Sequence, residues 1–231
     1  MPRRARVILK NTAHHVVQRG HNRQVVFAEA ADYRYYLATL KEWKQALSVK
    51  IYDAYCLMTN HVHLVLDPEE DETSIGKLMK RLAGRQTRYV NYLERRTGSL
   101  WEGRYKSSPI ETETYLLACC RYVEMNPVRA GMVDKPDEYR WSSYRQKVGL
   151  EELWIDEDDC YQGLAGEKSK RHQRYKRFVL QTGMAETDEK IRTAYRNGWA
   201  TGTNRFLDEI EEKIGIRIEN RKRGRPRKYE K

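Results

Sequence analysis

Two imidazoles one residue apart, and a phenol with an amide one helical turn beyond it, are the side chains here whose types and spacing could do chemistry. The imidazoles stand in CLMTNHVHLVL (56–66) as His61 and His63. Side chains alternate between the faces of an extended strand, so these two point the same way while Val62 points into the core. Two neutral imidazoles on one face can ligate one divalent cation. On a solvated face such a pair would be idle. The flanks are strongly apolar, however, and the polar neighbours are only the turn residues Thr59 and Asn60, which favours a ligand role.

The phenol and amide come from TETYLLACCRYVEMNPVRAG (112–131), where Tyr115, Cys119, Tyr122 and Asn126 recur on one side of a helix. An Asn carbonyl oxygen is a hard ligand that suits Mg²⁺ or Mn²⁺ beside histidine. A tyrosine that loses its proton can attack a polarised centre. Tyr115 and Tyr122 qualify equally on spacing, and either would also serve as packing.

The elements that must position these groups read in order along the chain. TAHHVVQRG (12–20) alternates and closes on Gly, as a strand does. Apolar spacing predicts helices over about 29–48 and 74–97. Strands are predicted at 49–58, 61–66 and near 107–111. Thr112 or Thr114 can cap the 112–131 helix, and Pro127 and Gly131 mark its end. The order β-α-β-β-α-β, with one helix more, implies an α+β, ferredoxin-like antiparallel sheet with helices on one face. That fold hosts many unrelated activities and licenses none of them. Near residue 150 the composition changes to an acidic run and then a basic helical one, so we divide the chain into 1–150, a helical appendage 151–216 and a basic tail 217–231.

Charge narrows the partner. The 231-residue chain carries +11, of which the tail supplies +6 from eight Lys/Arg against two Glu. A basic tail on a basic body suits a polyanion, and nucleic acid is the expected one. No stretch is long and apolar enough to span a bilayer, and MPRRARVILKNTAHH lacks the apolar segment of a secretory signal. The four cysteines show no CxxC spacing, so reduced thiols in the cytoplasm are expected.

YCLMTNHVHLVL, LWEGRYKSSPIE and YLLACCRYVEMNPVRAGMV…YRWSSYR together resemble the REP-associated tyrosine transposases, of the single-tyrosine HUH (IS200-like) group. The similarity runs from HHVVQRGHNR to about residue 148 and resumes at GTNRFLDEIEEKIG and RKRGRPRK. It implies that His61 and His63 are the paired metal ligands, Tyr122 rather than Tyr115 the nucleophile, and Asn126 the third ligand. One departure is Thr59, where the family commonly has Pro; a small effect on turn geometry is expected. The implied activity is a Mg²⁺- or Mn²⁺-dependent single-strand endonuclease and strand transferase, acting on REP-like palindromes through a 5′-phosphotyrosine. The alternative is a palindrome-binding protein that no longer cuts.

For DNA contacts, Arg19, Arg23, Arg104 and Lys106 lie in loops that could line a strand, with Trp101 or Tyr105 to stack on bases. Lys77, Arg81, Arg85 and Arg88 form a cationic stripe that could track phosphates, although such stripes are usually a solvated face. In the tail, Arg223, Arg225 and Arg227 flank a Gly-Arg-Pro core resembling an AT-hook. Groove binding and simple counterion release both remain open for it. The expected setting is the cytoplasm, at the nucleoid, as a monomer or homodimer.

Overall fold

Near-continuous burial along the first and third strands lets one sheet bury two faces at once. A computed structural model describes residues 6–215 and 218, and for Tyr52 and Asp53 the backbone alone. The first elements are β1 (His14–Arg19), α1 (Ala30–Ala46), β2 (Lys50–Met58), β3 (His61–Asp67), α2 (Ser74–Leu93), β4 (Lys106–Pro109) and α3 (Thr112–Glu124). The strands lie in the order β2-β3-β1-β4, every neighbour antiparallel. β3 sits between β1 and β2, which α1 connects, and this is the split βαβ arrangement that the element order implied.

On one face Val16, Leu57, Leu64 and Leu66 pack against Tyr36 and Leu40 of α1 and Leu78 and Leu82 of α2. The other face was expected to be free of helices and is not. Val17, Cys56, Met58 and Val65 pack there against Leu116, Cys119 and Val123 of α3. The near-continuous apolar run of β3 is the physical reason, since a strand open on one side carries polar residues at every second position.

The helix predicted over 112–131 divides at Met125 into α3 and α4 (Asn126–Arg129). Pro127 has no N–H to give to the carbonyl of Val123, and the Asn126 side-chain amide donates there instead, at 3.1 Å. Further on come α5 (Tyr144–Lys147), α6 (Asp159–Gln162), α7 (Lys168–Val179), α8 (Ala185–Asn197) and α9 (Asn204–Ile214). α6 and α8 pack on α3, α8 also on β1 and β4, and α9 packs against Leu9 in a separate small core. Ile191 and Tyr195 of α8 join the second core.

A buried polar relay fastens the C-terminal end of α3: Glu124 accepts from Ser143 Oγ and from Tyr175 Oη, both at 2.7 Å, and Tyr175 Oη accepts from Lys147 Nζ at 2.9 Å. Between α8 and α9, Gly198 takes the left-handed conformation at φ +70° and Thr203 caps the next helix, accepting from the Phe206 N–H.

Among the described residues no helix is long and apolar enough to cross a membrane. No disulfide joins any of the four cysteines. Arg223, Arg225 and Arg227, with the tail they belong to, lie outside the described residues.

Candidate active site

Antiparallel pairing of β1 with β3 sets Val17 opposite His63 and His15 opposite Val65, so His15 stands diagonally across from His63 on the same face. The two rings stack with centroids 5.1 Å apart, and His15 Nε2 lies 2.8 Å from His63 Nδ1. His61 Nδ1 lies 2.6 Å from Asn60 Oδ1. An amide oxygen only accepts, so the His61 proton sits on Nδ1 and the Nε2 lone pair is left for a ligand role.

Asn60 is itself held in place. Its carbonyl accepts from Gly20 N at 2.8 Å and its Nδ2 donates to the Arg23 carbonyl at 3.1 Å. Gly20 is required at this crossing, because a Cβ there would stand 2.4 Å from the Gln24 carbonyl oxygen. The Thr59 carbonyl accepts from Val26 N and Phe27 N at 2.9 and 3.0 Å. The turn uses that carbonyl, which any residue supplies.

Burial keeps the imidazoles neutral. It lowers His61 to about 4, helped by Arg19, and His15 to about 3, helped by Arg129. Burial and the neighbouring His61 and His15 hold His63 well below the usual histidine range. On the other sheet face burial lowers His14 to about 4, and its Nε2 accepts from Leu9 N.

These shifts predict a pH dependence of stability. The unfolded chain protonates His14, His15, His61 and His63 near pH 6.5 while the folded protein keeps these four neutral, so their contribution is full above that pH and falls as pH drops towards 4. The slope is about 1.4 kcal/mol per pH unit for each imidazole that stays neutral only when folded. Urea denaturation from pH 8 to 4 in chelator should show a flat midpoint, then this fall. His14→Gln should make the fall shallower by about one proton's worth; an unchanged slope would contradict the assignment.

α3 brings Tyr122 to the same histidines. Its ring centroid lies 5.8 Å from that of His15 and 6.1 Å from that of His63, both edge-on, and only 2% of the residue is exposed. Tyr115, two turns earlier, points elsewhere, its hydroxyl accepting from Lys190 Nζ at 2.8 Å. Asn126 Nδ2 donates to the Tyr122 carbonyl at 3.1 Å as well as to Val123, so the oxygen is the uncommitted end of its side chain.

Three groups near Tyr122 were not legible as site residues in the sequence. Arg129 stacks its guanidinium over the Tyr122 ring at 4.2 Å and also donates to the Tyr122 carbonyl. Tyr195 of α8 packs edge-on against His15 at 5.1 Å and His63 at 5.8 Å, and lies 6.4 Å from Tyr122. Arg192 lies on the same face of α8 as Tyr195, one turn before it. Burial and Tyr195 push the Tyr122 phenol up to about 12, while Arg129 and Arg192 pull it down. The alternation of HHVVQR could have flagged His15; nothing local marks the α8 residues.

A divalent cation suits the donor set that results. His61 offers Nε2, His63 has its Nδ1 engaged by His15, and Asn126 offers an amide oxygen. Among the described residues no group of three or more His, Cys, Asp or Glu is arranged to hold a metal. Two imidazoles and an amide oxygen are donor types that Mg²⁺ or Mn²⁺ accepts, with further oxygens to complete the shell.

The expected DNA contacts divide between two surfaces. Arg19 and Lys106, with Arg104, line a cavity of about 890 Å³ together with Arg6 and Arg196, against the single carboxylate of Glu102. Tyr195 forms part of its wall, so cavity and histidine site share a boundary. Arg23 is exposed in a short 3₁₀ turn next to Asn60. Arg81 and Arg85 lie on α2, across the sheet from the histidines. Arg81 stacks on Trp43 at 4.6 Å, and Arg85 pairs with Glu42, its Nη2 at 3.0 Å. Trp101 is a core residue, its Nε1 donating to the Ala83 carbonyl, and the Tyr105 ring is covered by Arg6.

Comparison with known proteins adds two findings. Residues 8–126 match the family model described as transposase, IS200-like. The fold is similar to a solved REP-associated tyrosine transposase bound to a REP hairpin, with a TM-score of 0.56 at 18% identity, over 68% of this chain and 92% of that one. No curated protein matches.

Proposed function

Because the chain belongs to the IS200-like transposase family, we propose that it is a divalent-metal-dependent single-strand DNA endonuclease and strand transferase that cuts hairpin or palindromic DNA through a 5′-phosphotyrosine at Tyr122. The observation that carries this reading is the convergence of the Tyr122 phenol and the His61–His63 pair on one sheet face. His61, His63 and the Asn126 oxygen would hold Mg²⁺ or Mn²⁺. When bound, that ion supplies Lewis-acid charge stabilisation at the scissile phosphate.

Tyr122 acts as nucleophile. Its proton leaves, the Oη–P bond forms and the P–O3′ bond breaks, and the departing O3′ takes up a proton. The result is a free 3′-OH and a 5′-phosphate on the tyrosine. The link conserves the phosphodiester's energy, so an incoming 3′-OH reverses the step and joins strands. Rejoining then reuses Tyr122 or engages the tyrosine of a second subunit.

α3 and α8 cover the sheet face that carries the histidines, and Tyr122 is only 2% exposed, so a phosphate inside an intact duplex does not reach it. Single-stranded or hairpin DNA fits, in line with the hairpin bound to the similar solved protein. The Arg6, Arg19, Arg104, Lys106 and Arg196 cavity would take the strand. Family membership and this partner suit a cytoplasmic, nucleoid-associated protein.

A labelled single-stranded hairpin incubated with protein and Mg²⁺ or Mn²⁺, then run on a denaturing gel, tests the proposal. A shifted covalent band that disappears with chelator is the expected result. Tight binding of hairpins without any covalent band would favour the non-cutting palindrome binder instead.

A further inference from the structure

We infer that Arg129 of α4 and Arg192 of α8 form an anion clamp on Tyr122 that holds the phosphoryl group as it moves onto the tyrosine, which makes α8 part of the catalytic centre. The inference rests on the proposed nucleophilic role of Tyr122.

Three arginines approach this tyrosine's surroundings, and their partners separate them. Arg121 is structural: its guanidinium donates to the carbonyls of Val179 and Gln181 and pairs with Asp188 at 3.2 Å, and the residue is buried. Arg129 is pinned at Tyr122. It stacks on the ring, donates to the tyrosine's carbonyl, and is steadied by Asp188 at 3.1 Å. Asp188 thus shares one negative charge between two guanidinium groups, and the site keeps a positive surplus.

Arg192 stands one turn beyond Asp188 and one turn before Tyr195, so all three occupy the face of α8 turned to the histidines and Tyr122. Its positive charge, like that of Arg129, favours the ionised phenol of Tyr122. Its carboxylate partner, Glu189, is a neighbour on the exposed side of the same helix, at 2.6 Å. A pair of that kind is weak and readily exchanged for a phosphate. A guanidinium fork matches two oxygens of a phosphate group. As the Oη–P bond forms and P–O3′ breaks, negative charge grows on the non-bridging oxygens beside Oη, on the side of Tyr122 that this face of α8 covers.

Arg192→Ala and Arg192→Lys test the clamp by single-turnover adduct formation on a labelled hairpin with Mn²⁺. Arg192→Ala is expected to slow adduct formation by about 10²-fold, as loss of a transition-state donor does. Hairpin affinity should change only a few-fold, and tens of millimolar guanidinium ion, but not the same concentration of sodium, should restore part of the rate. Arg192→Lys should fall between. A wild-type rate in Arg192→Ala, or a slowed rate that guanidinium does not rescue in a protein of unchanged thermal stability, would overturn the clamp. Absence of any adduct with the wild-type protein would instead sink the proposed function itself.

Discussion

Tyr122→Phe is expected to abolish covalent adduct formation on hairpin DNA, a loss of at least about 10⁴-fold, while leaving hairpin binding intact. The substitution removes one oxygen and keeps the ring. Phe retains the edge contacts to His15 and His63 and the face that Arg129 covers. Removing the hydroxyl costs about 1 kcal/mol of stability at most, too little to unfold the protein. Tyr115→Phe serves as the comparison, since that hydroxyl is engaged by Lys190 two turns from Tyr122. It should leave the reaction rate within a few-fold of wild type. The reverse pattern would move the nucleophile to Tyr115.

His61→Ala comes second in size, and it separates metal binding from architecture. His61 touches Asn60 at the rim of the site, whereas removing His63 would leave the buried His15 without its partner. The latter defect costs about 1–3 kcal/mol and would blur the result. His61→Ala should weaken Mn²⁺ binding, read directly by electron paramagnetic resonance, and slow adduct formation by about 10²-fold or more. Part of the rate should return at high Mn²⁺. Wild-type protein stripped with chelator should form no adduct. Full activity in chelator would show that the imidazole pair serves some other end.

Much of this site was legible in the chain because its signals are local. The two-residue period of HVHLVL placed His61 and His63 on one face, and β3 is found at His61–Asp67. The spacing of Tyr122 and Asn126 survived the break at Met125, because the backbone there stays near helical and Asn126 bonds back to Tyr122. The choice of Tyr122 over Tyr115 needed either the family resemblance or the packing of α3, since helical spacing treats the two alike.

What stayed hidden depends on contacts across long separations. Tyr195 and Arg192 meet Tyr122 from about seventy residues away, and no periodicity announces a helix that docks on another helix's functional face. The cationic stripe on α2 illustrates the opposite case. Its helical spacing was read correctly, yet Arg81 and Arg85 are engaged by Trp43 and Glu42 of α1, which the stripe itself does not reveal. The second face of the sheet was misjudged because element order says where helices fall in the chain and not which side each one takes.

The most direct measurement of the central claim is to identify the tyrosine that carries DNA. Protein incubated with Mn²⁺ and a cleavable hairpin would be trapped, digested with nuclease and protease, and its peptides analysed by tandem mass spectrometry. The account predicts a nucleotide remnant attached through phosphate to Tyr122, and absent when chelator is added. A remnant on Tyr115 or Tyr195, or an adduct that forms as readily without divalent metal, would contradict it.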